Sequence, residues 1–61
     1  MEKVLYTVGE VSKLLSMKES RIRQAVFRRE INFVKIGALV RFRLEDIERF
    51  IKDNIIYRVQ S

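Results

Sequence analysis

Val8, Val11, Leu14 and Leu15 repeat at helical spacing and leave Glu10, Ser12 and Lys13 outside, which predicts a core-forming helix over about residues 8 to 15. Thr7, followed three residues later by Glu10, opens it as a capping box in which each side chain satisfies a backbone N–H of the other residue. Ser16-Met17-Lys18 must then reverse the chain, with Met17 as the hydrophobic plug of the turn. A second stripe follows in Lys18 to Arg29, KESRIRQAVFRR, where Ile22, Ala25, Val26 and Arg29 fall at i, i+3, i+4 and i+7 and the first three are apolar. Lys18 is a poor N-cap, so Ser20 or Glu19 is expected to serve the start of this helix.

After Arg29 the period changes from helical to alternating. Phe33, Val34, Lys35 and Ile36, then Gly37-Ala38, then Leu39 to Arg43 predict two short strands around a glycine-containing turn. Val40 and Phe42 would share one face, and Leu39, Arg41 and Arg43 the other. Phe33 and Phe42 are expected in the core. Leu44, Ile47, Phe50/Ile51 and Asn54/Ile55 restore the helical period. Glu45, Asp46 and Glu48 stand in the first turn and Arg49 and Lys52 further on, as the helix dipole favours; these carboxylates are expected on the surface. Val4-Leu5-Tyr6 could be an edge strand or an arm. The β-branched tail from Ile55 to Val59 could extend the sheet, cover the core or pair with another copy.

Together these elements predict a small α+β fold, a winged helix-turn-helix: two amphipathic helices around a short turn, a two-stranded wing and a C-terminal helix. The wing arginines could reach a minor groove or phosphates; alternatively the hairpin clips the core. One domain over residues 1–61 is expected, with a core of about 5–54 and a tail of 55–61.

Composition narrows the chemistry. Sixty-one residues without Cys or His exclude a disulfide framework, a zinc finger, a Cys nucleophile and a His base. Stability must come from packing, and 48% hydrophobic residues suit a compact fold. No apolar run approaches the roughly 18 residues of a membrane span, and the amino terminus lacks the pattern of a signal peptide. A cytoplasmic protein is expected, nucleoid-associated when bound, with no membrane partner. Nothing near the acidic third helix could act as nucleophile, metal ligand or oxyanion donor, so neither an enzyme nor a metal or other cofactor is expected.

The net charge of +5 is unevenly placed. Between Lys18 and Arg43 there are eight Lys/Arg against Glu19 and Glu30, a net of +6, whereas the remainder carries −1. A field concentrated in one segment points to a polyanion. Lys18, Arg21, Arg28 and Gln24 face away from the apolar stripe of the second helix, with Arg23 on its flank. Arg and Gln are the side chains that make paired hydrogen bonds to guanine and adenine edges in the major groove. Taken alone, the same stretch also suits a solubilising surface helix.

Read in order, T-V-G-E-V-S-K-L-L (7 to 15), the turn S-M-K, R-I-R-Q-A-V (21 to 26), F-V-K-I-G (33 to 37), V-R-F-R (40 to 43) and E-D-I-E-R-F-I (45 to 51) resemble the excisionase family. These are small winged-helix relatives of the MerR-type DNA-binding domain, and the likeness covers about residues 5 to 52. It implies an architectural protein of a mobile element or phage that binds double-stranded DNA near a recombination site and assists an integrase or other recombinase in excision. A monomer of this size covers few base pairs, so several copies on adjacent sites are expected, with cooperative self-association on DNA and bending as the outcome. By position the resemblance implies base contacts from Ser20, Arg21 and Gln24, phosphate contacts from Lys18, Arg23, Arg28 and Lys35, and a wing contact from Arg41. The family commonly has Gly and then Ser where this chain has Ser16 and Lys18, and often Gly near Arg29 and Pro near Asn32. A basic pair often follows the wing glycine, where Ala38-Leu39 stands here, so Arg41 and Arg43 are the expected wing contacts. Two other roles remain open: a small transcriptional regulator on the same domain, and a module whose basic helix binds an acidic protein.

Overall fold

The computed structural model describes residues 3–58, so Val59 of the predicted tail lies outside the described residues. The elements follow the predicted order: α1 (Val8–Leu14), α2 (Glu19–Phe27), β1 (Val34–Ile36), β2 (Leu39–Arg41) and α3 (Leu44–Asp53).

The α1 capping box forms in both directions. The Glu10 amide donates to Thr7 Oγ1 at 3.1 Å and the Thr7 amide donates to Glu10 Oε1 at 2.9 Å. The Lys3 ammonium also donates to Glu10, and that bond, with the Thr7 amide, holds the Glu10 carboxyl below its usual range. The buried row of α1 differs from the expected one by one position. Val8, Val11 and Ser12 are buried, with Leu15 partly so, whereas Leu14 is 58% exposed. Positions 8, 11, 12 and 15 keep the helical period. Ser12 is tolerated inside because its hydroxyl donates to the Gly9 carbonyl at 2.7 Å, leaving no unpaired polar group.

Both helices of the first half end in the same way. At the end of α1, Met17 N–H donates to Ser12 O (2.8 Å) and Ser16 N–H to Lys13 O (3.2 Å), with Ser16 at φ 54°. At the end of α2, Glu30 N–H donates to Ala25 O (2.8 Å) and Arg29 N–H to Val26 O (3.1 Å), with Arg29 at φ 61°. Each pair of bonds is a Schellman motif, whose left-handed residue is usually glycine. A side chain in that region costs on the order of 1 kcal/mol, and the chain carries this strain twice, at Ser16 and at Arg29. Arg29 recovers part of its share, its guanidinium standing 5.7 Å from the centre of the Phe33 ring. The start of α2 has no side-chain cap, so the expected help from Ser20 or Glu19 does not take that form; Glu19 contributes only a first-turn negative charge.

β1 and β2 pair antiparallel, Val34 opposite Arg41, Lys35 opposite Val40 and Ile36 opposite Leu39. The two-residue loop is Gly37-Ala38, and Gly37 has φ +61°, which a type II′ hairpin requires at its first central position. Of the two expectations for Val4-Leu5-Tyr6, an edge strand or an arm, the structure shows a single strand-type bridge: Tyr6 and Phe42 exchange backbone hydrogen bonds of 2.8 and 2.9 Å. Phe42, Ile22 and Val11 are the largest fully buried side chains, joined in the core by Val8, Ala25, Ile31, Ile47 and Phe50. Phe33 and Val40 pack against this cluster, and so does Met17, as the plug of the turn.

β2 ends at Arg41, two residues earlier than expected, because Arg43 is the N-cap of α3. Asp46 causes this. Its carboxylate accepts from Arg43 backbone N–H (3.1 Å), Nε (2.9 Å) and Nη2 (2.6 Å). Asp46 is thus no surface residue: it is only 2% exposed, and the guanidinium beside it outweighs burial and holds its carboxyl below the ordinary range. Residues 55 to 58 are exposed and belong to neither strand nor helix, so over that span the tail neither extends the sheet nor covers the core.

The lowered carboxyl of Asp46 means that the unfolded chain takes up this proton first as acid is added. The stability it contributes is complete above about pH 5 and is lost progressively as pH falls below that value. Asp46→Asn should cost about 2 kcal/mol at neutral pH and flatten the acid-side slope, leaving a shallower contribution from Glu10. Urea-unfolding midpoints taken from about pH 7 down to about pH 3 check this.

Candidate nucleic-acid interface

The burial of Ile22 and Ala25, both fully inaccessible, with Val26 partly covered, sets which face of α2 turns outward. At about 100° per residue, the opposite face is centred on Ser20, Gln24 and Phe27. Arg21 and Arg28 flank this row on one side and Arg23 on the other; all six are exposed. Lys18 stands at the head of the helix as its N-cap. Lys18, Ser20, Arg21 and Gln24 line one open depression of about 490 Å³ together with Met17. Three residue types that can hydrogen-bond base edges and one point cation are thereby brought together.

A second depression, of about 360 Å³, runs between the starts of α1 and α2 and the wing, lined among others by Gly9, Arg23, Leu39 and Arg41. Arg41 is partly buried, and its Nη1 donates to the Val40 carbonyl at 2.8 Å, which anchors the guanidinium along the strand. Lys35 lies on the other side of the hairpin. Opposed residues of an antiparallel pair share a face, so Val34 and Arg41 share one and Lys35 and Val40 the other. Lys35 lines a third depression, of about 430 Å³, with Arg29, Asn32, Phe33 and Arg43.

The ion pairs sort these cations further. Arg43 is engaged by Asp46 and approaches Glu45 at 3.7 Å, and its guanidinium pKa is raised by the bond to Asp46. Grouped by sequence with Arg41, it belongs by structure to the start of α3. Arg23 pairs with Glu19 at 3.3 Å, and Arg21 with Glu30 at 3.5 Å. Both pairs are about half exposed, and surface pairs of this kind are worth about 0–1 kcal/mol, little enough to be exchanged for a stronger anion. Among the described residues Lys18, Arg28, Lys35 and Arg41 form no ion pair.

Two site features escaped the sequence reading. Glu30 lies beyond the helix and meets Arg21 only because the α2 end folds back. Phe27, 86% exposed, shares the outward row with Ser20 and Gln24. The spacing of seven from Ser20 and three from Gln24 carries this placement in the sequence, whereas the residue type alone suggests a core position. Among the described residues no helix is long and apolar enough to cross a membrane, and no group of His, Cys, Asp and Glu could hold a metal ion.

Two helices joined by a tight turn, the second with a basic outward face, and a two-stranded hairpin beside them define a small winged helix-turn-helix. The profile of a helix-turn-helix domain family matches residues 5–55, and the chain belongs to that family, a DNA-binding domain found in excisionase-like proteins. No curated protein and no solved structure matches the chain significantly. The family supports sequence-specific binding to double-stranded DNA.

Because Glu30 both occupies Arg21 and adds a negative charge beside the outward face, Glu30→Gln should tighten duplex binding about three- to tenfold at low salt, with a smaller gain at high salt. Fluorescence anisotropy on one labelled duplex at two salt concentrations checks this. Weaker binding would mean that Glu30 positions Arg21 instead of withholding it.

Proposed function

We propose that this chain binds a specific duplex sequence through the outward face of α2 and bends it, as an excisionase-type factor that assists a recombinase in excising a mobile element. The observation that carries the DNA reading is the common depression of Lys18, Ser20, Arg21 and Gln24 on the face opposite the buried stripe. In this reading Ser20, Arg21 and Gln24 meet base edges in the major groove, Arg21 toward guanine and Gln24 toward adenine. Lys18, Arg23 and Arg28 meet phosphates on either side, where contacts position the helix without reading sequence.

The wing enters an adjacent groove edge-on. Basic groups on both faces of one hairpin support this, since the two walls of a groove are the two phosphate strands: Arg41 meets one and Lys35 the other. Arg43 has no part in this contact. The acidic surface of α3, with Glu45, Glu48 and Asp53, faces away from the duplex, and residues 5 to 54 make up the whole binding unit.

A single copy covers few base pairs. Several copies on adjacent sites, bending the DNA between them, give the architectural role its physical content. The excision role rests on the family being found in excisionase-like proteins. An excision assay with its recombinase, with and without this protein, tests it; excision that proceeds equally without the protein, together with repression of a nearby promoter, would assign it to transcription.

Arg21→Ala or Gln24→Ala should cost about 1–3 kcal/mol of specific binding and relax preference at one base position. Arg41→Ala or Lys35→Ala should weaken all sequences alike and lower the slope of log K against log salt by about one. Selection from a randomised duplex pool, followed by salt titrations, separates the two outcomes. An unchanged preference in Arg21→Ala would remove α2 from the reading position.

A further inference from the structure

Phe27 is 86% exposed, and it ends the polar row of α2, one turn beyond Gln24 and Arg23, with Arg28 next to it. Neither the fold nor the ion-pair pattern accounts for it. It cannot fold inward by unwinding the last turn cheaply, because Glu30 and Arg29 N–H groups hold the Ala25 and Val26 carbonyls at 2.8 and 3.1 Å. The closed helix end therefore fixes the backbone from which the ring projects. An apolar ring surrounded by cations and amides does not suit an apolar protein partner, whose approach would bury those charges unpaired. It suits a surface that is anionic over most of its area and carries small apolar groups at intervals.

The major groove of DNA is such a surface. Its only apolar group is the 5-methyl of thymine; guanine, adenine and cytosine present acceptors and amino groups there. A ring without donor or acceptor would leave those groups desolvated and unpaired, so it favours thymine by attraction and the other bases less by penalty. Three residues of helix advance the side chain about 4.5 Å from Gln24, close to the roughly 3.4 Å spacing of bases along a strand.

We propose that Phe27 is a specificity-determining residue of this helix and packs on the 5-methyl group of a thymine within one or two base pairs of the position read by Gln24. The proposal rests on the reading of α2 as the DNA-contacting helix, and its test keeps the two apart. The wild-type chain first selects its preferred duplex from a randomised pool; each thymine is then replaced singly by deoxyuridine, which removes only the methyl group. Wild type should lose about fourfold at one thymine, the worth of one buried methyl-sized group. Phe27→Ala should bind the thymine duplex about as weakly as wild type binds the uracil one, and lose nothing further at uracil. Phe27→Leu should keep part of the discrimination. Circular dichroism should be unchanged in both variants, since the side chain is outside the core.

Three results would overturn the proposal: no thymine sensitive to loss of its methyl, wild-type affinity in Phe27→Ala, or a Phe27→Ala loss of equal size at thymine and uracil. Arg21→Ala and Gln24→Ala in the same selection tell the levels apart. If they relax preference while Phe27→Ala does not, only the role of Phe27 fails. If they also leave preference unchanged, the reading of α2 fails with it.

Discussion

The back of α2 is held by Ile22 and Ala25, and neither side chain has any exposed surface. Rotating this helix by even one residue would bring Arg21 or Arg23 into a core that contains Phe42, Val11 and Ile47, where an unpaired guanidinium costs several kcal/mol. Packing therefore fixes which side chains face outward. The two Schellman ends fix how the helix enters and leaves, and the chain accepts left-handed Ser16 and Arg29 to make them. Presentation of the basic face is a consequence of apolar packing, and the charges themselves contribute little to the fold.

The cations divide by a similar logic. Arg41 and Arg43 are two residues apart and alike in a strand pattern. Three hydrogen bonds from Arg43 to a buried carboxylate make it part of the α3 start, whereas Arg41 stays on the wing beside the groove it shares with Arg23. In the same way the hairpin register puts Lys35 and Arg41 on opposite faces although both belong to one basic ribbon. A residue's charge shows that it can meet a phosphate; its partners and its face decide whether it is available to do so.

Much of the fold was legible because local signals agreed with one another. The Thr7–Glu10 box, the stripe of α2, the Gly37-Ala38 turn and the period of α3 each pointed to the element found, and Phe42 was rightly assigned to the core. The misreadings share one cause, that sequence shows side-chain class but not side-chain partners. Ser12 is inside because its hydroxyl finds the Gly9 carbonyl, Leu14 is outside because the period runs through Ser12, and Asp46 is buried because Arg43 reaches it. For the candidate site, the outward placement of Arg21 and Gln24 followed from the position of the apolar stripe, whereas Ser20 came from the family resemblance. Glu30 beside Arg21 depended on a fold-back that has no sequence signature, and nothing in the residue type of Phe27 marks it as exposed, although its spacing from Gln24 places it on the outward face.

In the proposed complex the face of α2 opposite Ile22 and Ala25 is the one that meets DNA. Titration of isotope-labelled protein with its selected duplex, followed by amide and side-chain NMR shifts, tests it directly. The largest changes should fall on Ser20, Arg21, Gln24 and Phe27, with a second group at Lys35 and Arg41 and little change at Glu48, Lys52 and Asp53 of α3. Changes concentrated on α3, with α2 undisturbed, would contradict it.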